Sequence, residues 1–203
     1  KYKFLIYNRA WSNTREYRLK FAEAVIQNSL LDHCRMRFNP MDNNQHYVEH
    51  KYKNSDFKVC IELEQYFQNN DSASSASADY CSEDYNNCAV EVVLETLFDD
   101  SRWHLTEKSL RPIACGQPFI LAATPGSLEY LRSYGFKTFG SCWDESYDHI
   151  SNPLQRMQAI IDLMKSIADL SPDDKLQLWS KANGIAQYNR QRFFSKDFND
   201  LLI

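Results

Sequence analysis

Residues 104–131 read HLTEKSLRPIACGQPFILAATPGSLEYL, and the order of signals in this stretch decides the fold class. Thr106 offers a hydroxyl that can accept from the free N–H groups of a helix running through Ser109, Leu110, Ile113 and Ala114. Gly116 ends that helix, and Pro118 lies where it cannot continue. Phe119 to Ala123 (FILAA) is then a short apolar run of strand length. At Thr124-Pro125-Gly126-Ser127 the chain turns directly into a second helix over Leu128 to Tyr134, with Thr124 as N-cap, Pro125 at the first helical position and Gly135 as the stop. Helix, buried strand and helix joined by short loops form the repeating pattern of a parallel sheet.

The same alternation extends outward in both directions. Lys1 to Tyr7 (KYKFLIY) reads as a buried strand that stops at Asn8-Arg9. Thr14 to Leu31 places Tyr17, Phe21, Ala24, Val25, Leu30 and Leu31 at helical spacing, with Thr14 as a candidate N-cap. Arg35 to Asn54 is polar and aromatic without clear period, and Phe57 to Leu63 (FKVCIEL) is either a second strand or the start of a helix. Asp71 to Asp79 (DSASSASAD) has the composition of a mobile loop, with a functional lid as the other reading. Ala89 to Phe98 (AVEVVLETLF) fits a buried strand running into a loop that carries Glu95. Downstream, Phe136 to Phe139 (FKTF) reads as a further short strand. Pro153 to Leu170 puts Leu154, Met157, Ile160, Ile161, Met164, Ile167 and Ala168 on one helical stripe. Asp173 to Asn189 reads as a last helix with a polar and aromatic tail. The expected fold is α/β, a Rossmann-like three-layer arrangement with a mainly parallel sheet and a helical C-terminus. It forms one domain over residues 1–203, of which 153–203 is the helical part.

Composition narrows the class. The chain has 203 residues, 43% apolar and 14% aromatic with 12 Tyr and 12 Phe, enough to bury roughly 70% of its unfolded surface and unlike a disordered chain. A net charge of −4 and a pI of about 5.7 leave no global positive field to drive non-specific nucleic-acid binding. The longest apolar runs are about five residues against the ~20 needed to span a bilayer. Cys34, Cys60, Cys81, Cys88, Cys115 and Cys142 lack any Cys-x-x-Cys pair, which argues against a zinc site or a disulfide framework and for a reducing, cytoplasmic location. Lys1 in place of an initiator Met suggests a trimmed chain or the downstream piece of a longer one.

In such sheets ligands bind where the carboxyl ends of strands meet the following loops, so four loops carry the candidate chemistry. Asn8 and Arg9, with Arg15 and Arg18 soon after, bring guanidinium groups to the end of the first strand, where they suit phosphate or simply decorate a surface helix. Thr106-Glu107-Lys108 could place Lys108 on phosphate and Glu107 on ribose hydroxyls at a helix N-terminus, or be ordinary capping. Gly126 and Ser127 sit in the strand-to-helix turn Thr124 to Ser127, which permits close approach of a ligand or is plain turn chemistry. Glu91, Glu95, Asp99 and Asp100 form an acidic group that could act as base or bind metal, or be solvated. The chain has no G-x-G-x-x-G, no P-loop, no H-E-x-x-H and no G-x-S-x-G, and no metal is expected.

The ordering of these motifs resembles the C-terminal, nucleotide-sugar-binding lobe of GT-B glycosyltransferases, and Thr106-Glu107-Lys108 is similar to the Thr-Glu-Lys motif of fucosyltransferase-type enzymes. TEKSLRPIACGQPFILAATPGSLEYLRSYGFKTF, then WDESYDHI, with FLIYNRAWSNTREYRLKFAEAV at the start, resembles glycosyltransferase-like proteins of bacteria and their viruses; these segments make up about half of the chain. The resemblance implies a metal-independent transferase with no cofactor beyond its nucleotide diphosphate sugar, bound by Asn8, Arg9, Arg15, Arg18, Glu95, Thr106, Glu107, Lys108, Gly126 and Ser127. It also implies an N-terminal lobe that is missing here, shortened or supplied by another chain. The acceptor would be a glycan, a protein or modified DNA. The alternative is a non-catalytic binding module on the same fold, contacting its partner through aromatic loops around Tyr80, Tyr85 and Trp103.

Overall fold

A computed structural model describes residues 2–67 and 78–200 of the chain. Strand β1 (Tyr2–Asn8) carries Phe4, Leu5, Ile6 and Tyr7, all buried, the continuous apolar run that a parallel strand covered on both faces requires. A 3-10 turn at Asn13–Arg15 leads into helix α1 (Tyr17–Gln27), which returns the chain to strand β2 (Cys34–Phe38). A hairpin of β3 (Met41–Asp42) and β4 (Gln45–His46), a run of 3-10 turns and helix α2 (Ser82–Asn87) precede strand β5 (Cys88–Leu94). Helix α3 (Glu107–Cys115), strand β6 (Phe119–Ala122) and helix α4 (Ser127–Ser133) follow. Helices α5 (Pro153–Asp169), α6 (Pro172–Phe193) and α7 (Lys196–Asn199) complete the fold.

The main sheet is parallel throughout, with the order β2-β1-β5-β6. Phe4 and Ile6 join the larger core with Phe21 and Val25 of α1 and Met157 and Ile160 of α5. Leu5 and Tyr7 alternate to the opposite face, where Tyr85 and Cys88 bury with them and Cys115 of α3 packs alongside. Helix α3 in turn contacts α6. Helices therefore cover both faces, as a Rossmann-like three-layer fold requires. The connection from β1 leads outward to β2 and that from β5 outward to β6. The two central strands thus part company at their carboxyl ends and open the crevice in which parallel sheets take their ligands.

Two buried arginines secure this edge. Arg18 donates to the carbonyls of Ala10 (2.7 Å) and Glu95 (3.0 Å) and also to that of Leu94. Arg156, at the start of α5, donates to the carbonyls of Ala123 (3.0 Å) and Ser151 (3.2 Å) and to that of Phe98. Burial lowers the Arg156 pKa to about 10, and the group stays charged at neutral pH. The excursion after β2 is held to α1 by two buried carboxylates. Glu16 accepts from the N–H groups of Lys53 (3.0 Å) and Asn54 (2.6 Å), and Glu23 from that of Cys60 (2.6 Å).

Several boundaries differ from expectation for identifiable reasons. α1 starts at Tyr17 with Glu16 at its N-cap position, because Thr14 is taken up by the preceding 3-10 turn. The second strand is Cys34–Phe38 rather than any part of Phe57 to Leu63, where a 3-10 turn at Ser55–Phe57 is followed by irregular chain. Thr124 and Pro125 stand outside α4. The Thr124 hydroxyl donates to the Arg102 carbonyl (3.1 Å), and Gly126, at φ 81°, is the N-cap. Phe136 to Phe139 forms no strand: Lys137 N–H donates to the Asn189 side chain and the Asn189 amide donates to Lys137 C=O, both at 2.8 Å, so a helix side chain takes the place of a neighbouring strand. The helix read as the last, α6, is longer than read and extends to Phe193, and the tail after it forms a further short helix, α7. Of the small-residue stretch Asp71 to Asp79, residues 71–77 lie outside the described residues.

Asn189→Ala is expected to lower stability by about 1–3 kcal/mol, because two backbone groups lose their partner at once. Urea unfolding measures the difference.

Candidate functional site

The crevice between the ends of β1 and β5 is strongly cationic. Its wall comprises Tyr7, Arg9 and Ala10 from the end of β1, Arg15 and Arg18 around the start of α1, Leu94 at the end of β5, and Lys108 and Arg111 on α3. Five of these eight side chains are positive at neutral pH, and no carboxylate is among them. The cavity is about 60 Å³, several times the ~10–15 Å³ that one water needs. That is the scale of a phosphate group rather than of a whole nucleotide. Hollows of about 440 Å³ beside α5 and about 520 Å³ in the excursion after β2 are larger. Neither has a comparable cluster of like charge.

Each cation is positioned by a different device. Arg15 donates from Nε to the Ser12 carbonyl at 3.1 Å and from its terminal nitrogen to the Ser12 hydroxyl at 3.3 Å. Neither Arg15 nor Arg18 forms an ion pair among the described residues, and Arg18 Nε has no hydrogen-bond partner although the residue is 2% exposed. Burial and the neighbouring Arg18 charge lower the Arg15 pKa, and burial and the Arg111 charge do the same to Arg9. Mutually repelling, partly desolvated cations favour a bound anion, whose charge offsets both costs. Arg9 also donates to the Asp79 carbonyl at 2.7 Å and lies over the Tyr7 ring, 4.1 Å from its centroid.

Arg111 lies near the same ring, 4.6 Å from its centroid. It forms a buried ion pair with Glu91, accompanied by a hydrogen bond from the Tyr85 hydroxyl to that carboxylate. Burial works against the Arg111 charge, but Glu91 and Tyr85 outweigh it and hold the guanidinium protonated. Beneath, the Tyr7 hydroxyl donates to Asp84 at 3.2 Å. Burial would raise the Asp84 carboxyl, yet hydrogen bonds and charge from Arg37, then Arg35, hold it below its ordinary 3.8.

Four of the residues singled out from the sequence, Arg9, Arg15, Arg18 and Lys108, meet on this one wall. The others support it or lie elsewhere. Asn8 is buried and donates to the Arg18 carbonyl at 2.8 Å. Glu95 is fully buried and accepts from the N–H groups of Thr96 and Thr106, both at 2.8 Å, and from the Ser109 hydroxyl at 2.7 Å, tying β5 to the start of α3. Thr106 caps α3 by accepting from Lys108 N–H at 3.3 Å. Glu107 is exposed and pairs with Lys108 at 2.6 Å. Gly126 and Ser127 lie at the end of β6, outside the wall; Ser127 is buried, and the close approach that Gly126 permits is made by the Trp103 indole. Tyr7 and Arg111 belong to the wall although the sequence motifs did not mark them. Arg111 stands three residues after Lys108, a spacing that places both on one helix face.

No family model, no curated protein and no solved structure matches the chain.

Glu91→Ala is expected to cost about 3–5 kcal/mol by leaving the Arg111 charge buried without its counter-ion, and Glu91→Ala with Arg111→Leu should recover part of that loss in chemical unfolding. Asp84 contributes stability that is present above pH 3.8 and disappears as pH falls through its lower folded value. Asp84→Asn should therefore flatten the acid limb of a stability-against-pH curve.

Proposed function

We propose that the cationic crevice binds the phosphates of a nucleotide diphosphate sugar and that the chain is the donor-binding part of a glycosyltransferase. The observation that supports this most is the convergence of Arg9, Arg15, Arg18, Lys108 and Arg111 where β1 and β5 diverge. Guanidinium forks match phosphate oxygens, and the start of α3 adds its own partial positive charge on the Lys108 side. In sugar transfer, the bond from the anomeric carbon to the diphosphate breaks as an acceptor oxygen bonds to that carbon, and negative charge grows on the departing diphosphate. Fixed cations at that position would stabilise it without requiring a divalent ion.

That no carboxylate is among the described residues of the wall favours the second reading, a binding module without catalysis. Glu95, which accepts from Thr106 at the N-cap of α3, already accepts several hydrogen bonds and is shielded from solvent, and Glu107 at the start of α3 is paired with Lys108. Deprotonation of the acceptor would then fall to a group outside the crevice. The acceptor is a glycan, a protein or modified DNA under the first reading.

Inorganic pyrophosphate, UDP, GDP, CDP and ADP provide the direct test. At least one should raise the thermal midpoint in a saturable way, since a ligand selective for the folded state stabilises it. Arg15→Ala and Lys108→Ala should each weaken that binding by about tenfold or more, the scale of one charge-assisted hydrogen bond. No shift with any of the five, or unchanged affinity in both variants, overturns the reading.

A further inference from the structure

A cavity of about 60 Å³ can take a phosphate but leaves the rest of any nucleotide outside it, along the carboxyl edge of the sheet. On that edge, between the loop after β5 and the loop after β6, stands an indole that is both exposed and fixed. Trp103 is 57% exposed, whereas Trp11 and Trp143 are buried. Its Nε1–H donates to the Pro125 carbonyl at 2.9 Å, and its ring stacks on Tyr130 with centroids 5.7 Å apart and planes 23° apart. Tyr130 is braced in turn edge-on by Tyr134, whose hydroxyl lies 2.9 Å from its own. Gly126 lets the backbone approach: an added Cβ there would stand 3.0 Å from Trp103 Nε1.

Folding alone does not require this arrangement. An exposed tryptophan contributes little burial, and single exposed apolar residues need no partner. Here the polar edge of the indole is satisfied and its ring is braced on Tyr130, so holding it in place costs a ligand little ordering entropy. We propose that Trp103 is a stacking platform for the heterocyclic base of a nucleotide whose phosphates occupy the arginine crevice. This rests on reading that crevice as a phosphate site. Trp103 precedes Lys108 by five residues, so their Cα atoms are at most about 18 Å apart, and Lys108 stands in the first turn of α3. Arg102, paired with Asp100, and His104 are the exposed chain neighbours of Trp103 and the nearest polar groups in sequence to the edge of a stacked base. Base–aromatic stacking is tolerant of base identity, so the platform supplies affinity while these neighbours choose among bases.

The test compares inorganic pyrophosphate with UDP, CDP, GDP and ADP by titration calorimetry on wild type, Trp103→Ala and Trp103→Phe. At least one nucleotide should bind about tenfold more tightly than pyrophosphate. Trp103→Ala should abolish that advantage and leave pyrophosphate affinity unchanged, and Trp103→Phe, which keeps a ring, should retain part of it. If pyrophosphate binds but no nucleotide binds more tightly, or if Trp103→Ala changes nothing, the platform is overturned while the phosphate site stands. If nucleotides bind through Trp103 and pyrophosphate does not bind at all, base stacking on Trp103 stands, but the phosphate reading falls and with it the placement of the nucleotide's phosphates in the crevice. Binding of free monosaccharides that is lost in Trp103→Ala, with no nucleotide bound, overturns the proposal in favour of a sugar platform.

Discussion

The carboxyl edge of a parallel sheet ends in carbonyls with no further strand residue to pair with, and this chain resolves that problem with buried guanidinium groups. Arg18 gathers the carbonyls of Ala10, Leu94 and Glu95, joining the loop after β1 to the end of β5. Arg156 does the same for Ala123, Phe98 and Ser151. A buried carbonyl left unsatisfied costs free energy comparable to a lost hydrogen bond, and one planar fork can satisfy several. The helices that carry these arginines, α1 and α5, are packed against one another, so the edge is defined from the same layer that forms the main core.

The same solution concentrates positive charge at the divergence of β1 and β5. The acidic residues nearest by sequence neutralise part of the wall, Glu107 pairing with Lys108 and Glu91 with Arg111. Glu95 is committed to the start of α3, and Glu91 to Arg111 and Tyr85. Asp84 serves Arg35 and Arg37 on β2. A chain of net charge −4 thereby maintains a local cationic crevice, which illustrates why overall charge bounds global behaviour but not the chemistry of a site.

The α/β class and most helices were legible because hydrophobic period and capping are local properties. Thr106, Gly116 and the stripe on α5 behave as their local sequence implies. Strand β2 was not legible: CRMRF alternates charge with apolar residues, and its arginines pair with Asp84, about fifty positions away. FKTF has the composition of a strand, yet the distant Asn189 claims its backbone. In the crevice, Arg9, Arg15, Arg18 and Lys108 could be picked out because they follow strand ends or open helices. Tyr7 could not, since the last residue of an apolar strand looks like core. Arg111 is half core and half wall, a role that depends on Glu91 standing opposite it.

The manner in which α1 holds the excursion after β2 explains why that stretch carries so little readable pattern. The Glu16 and Glu23 carboxylates grip it by the N–H groups of Lys53, Asn54 and Cys60, which every amino acid except proline possesses. Part of the information that shapes this segment is therefore written in the helix it rests on, beside the segment's own buried Tyr47, Phe57 and Leu63. Positions 53 and 60 are free to drift in composition so long as proline is barred from them, while the two glutamates are not, nor is Asn54, whose side chain also caps the turn at Ser55–Phe57.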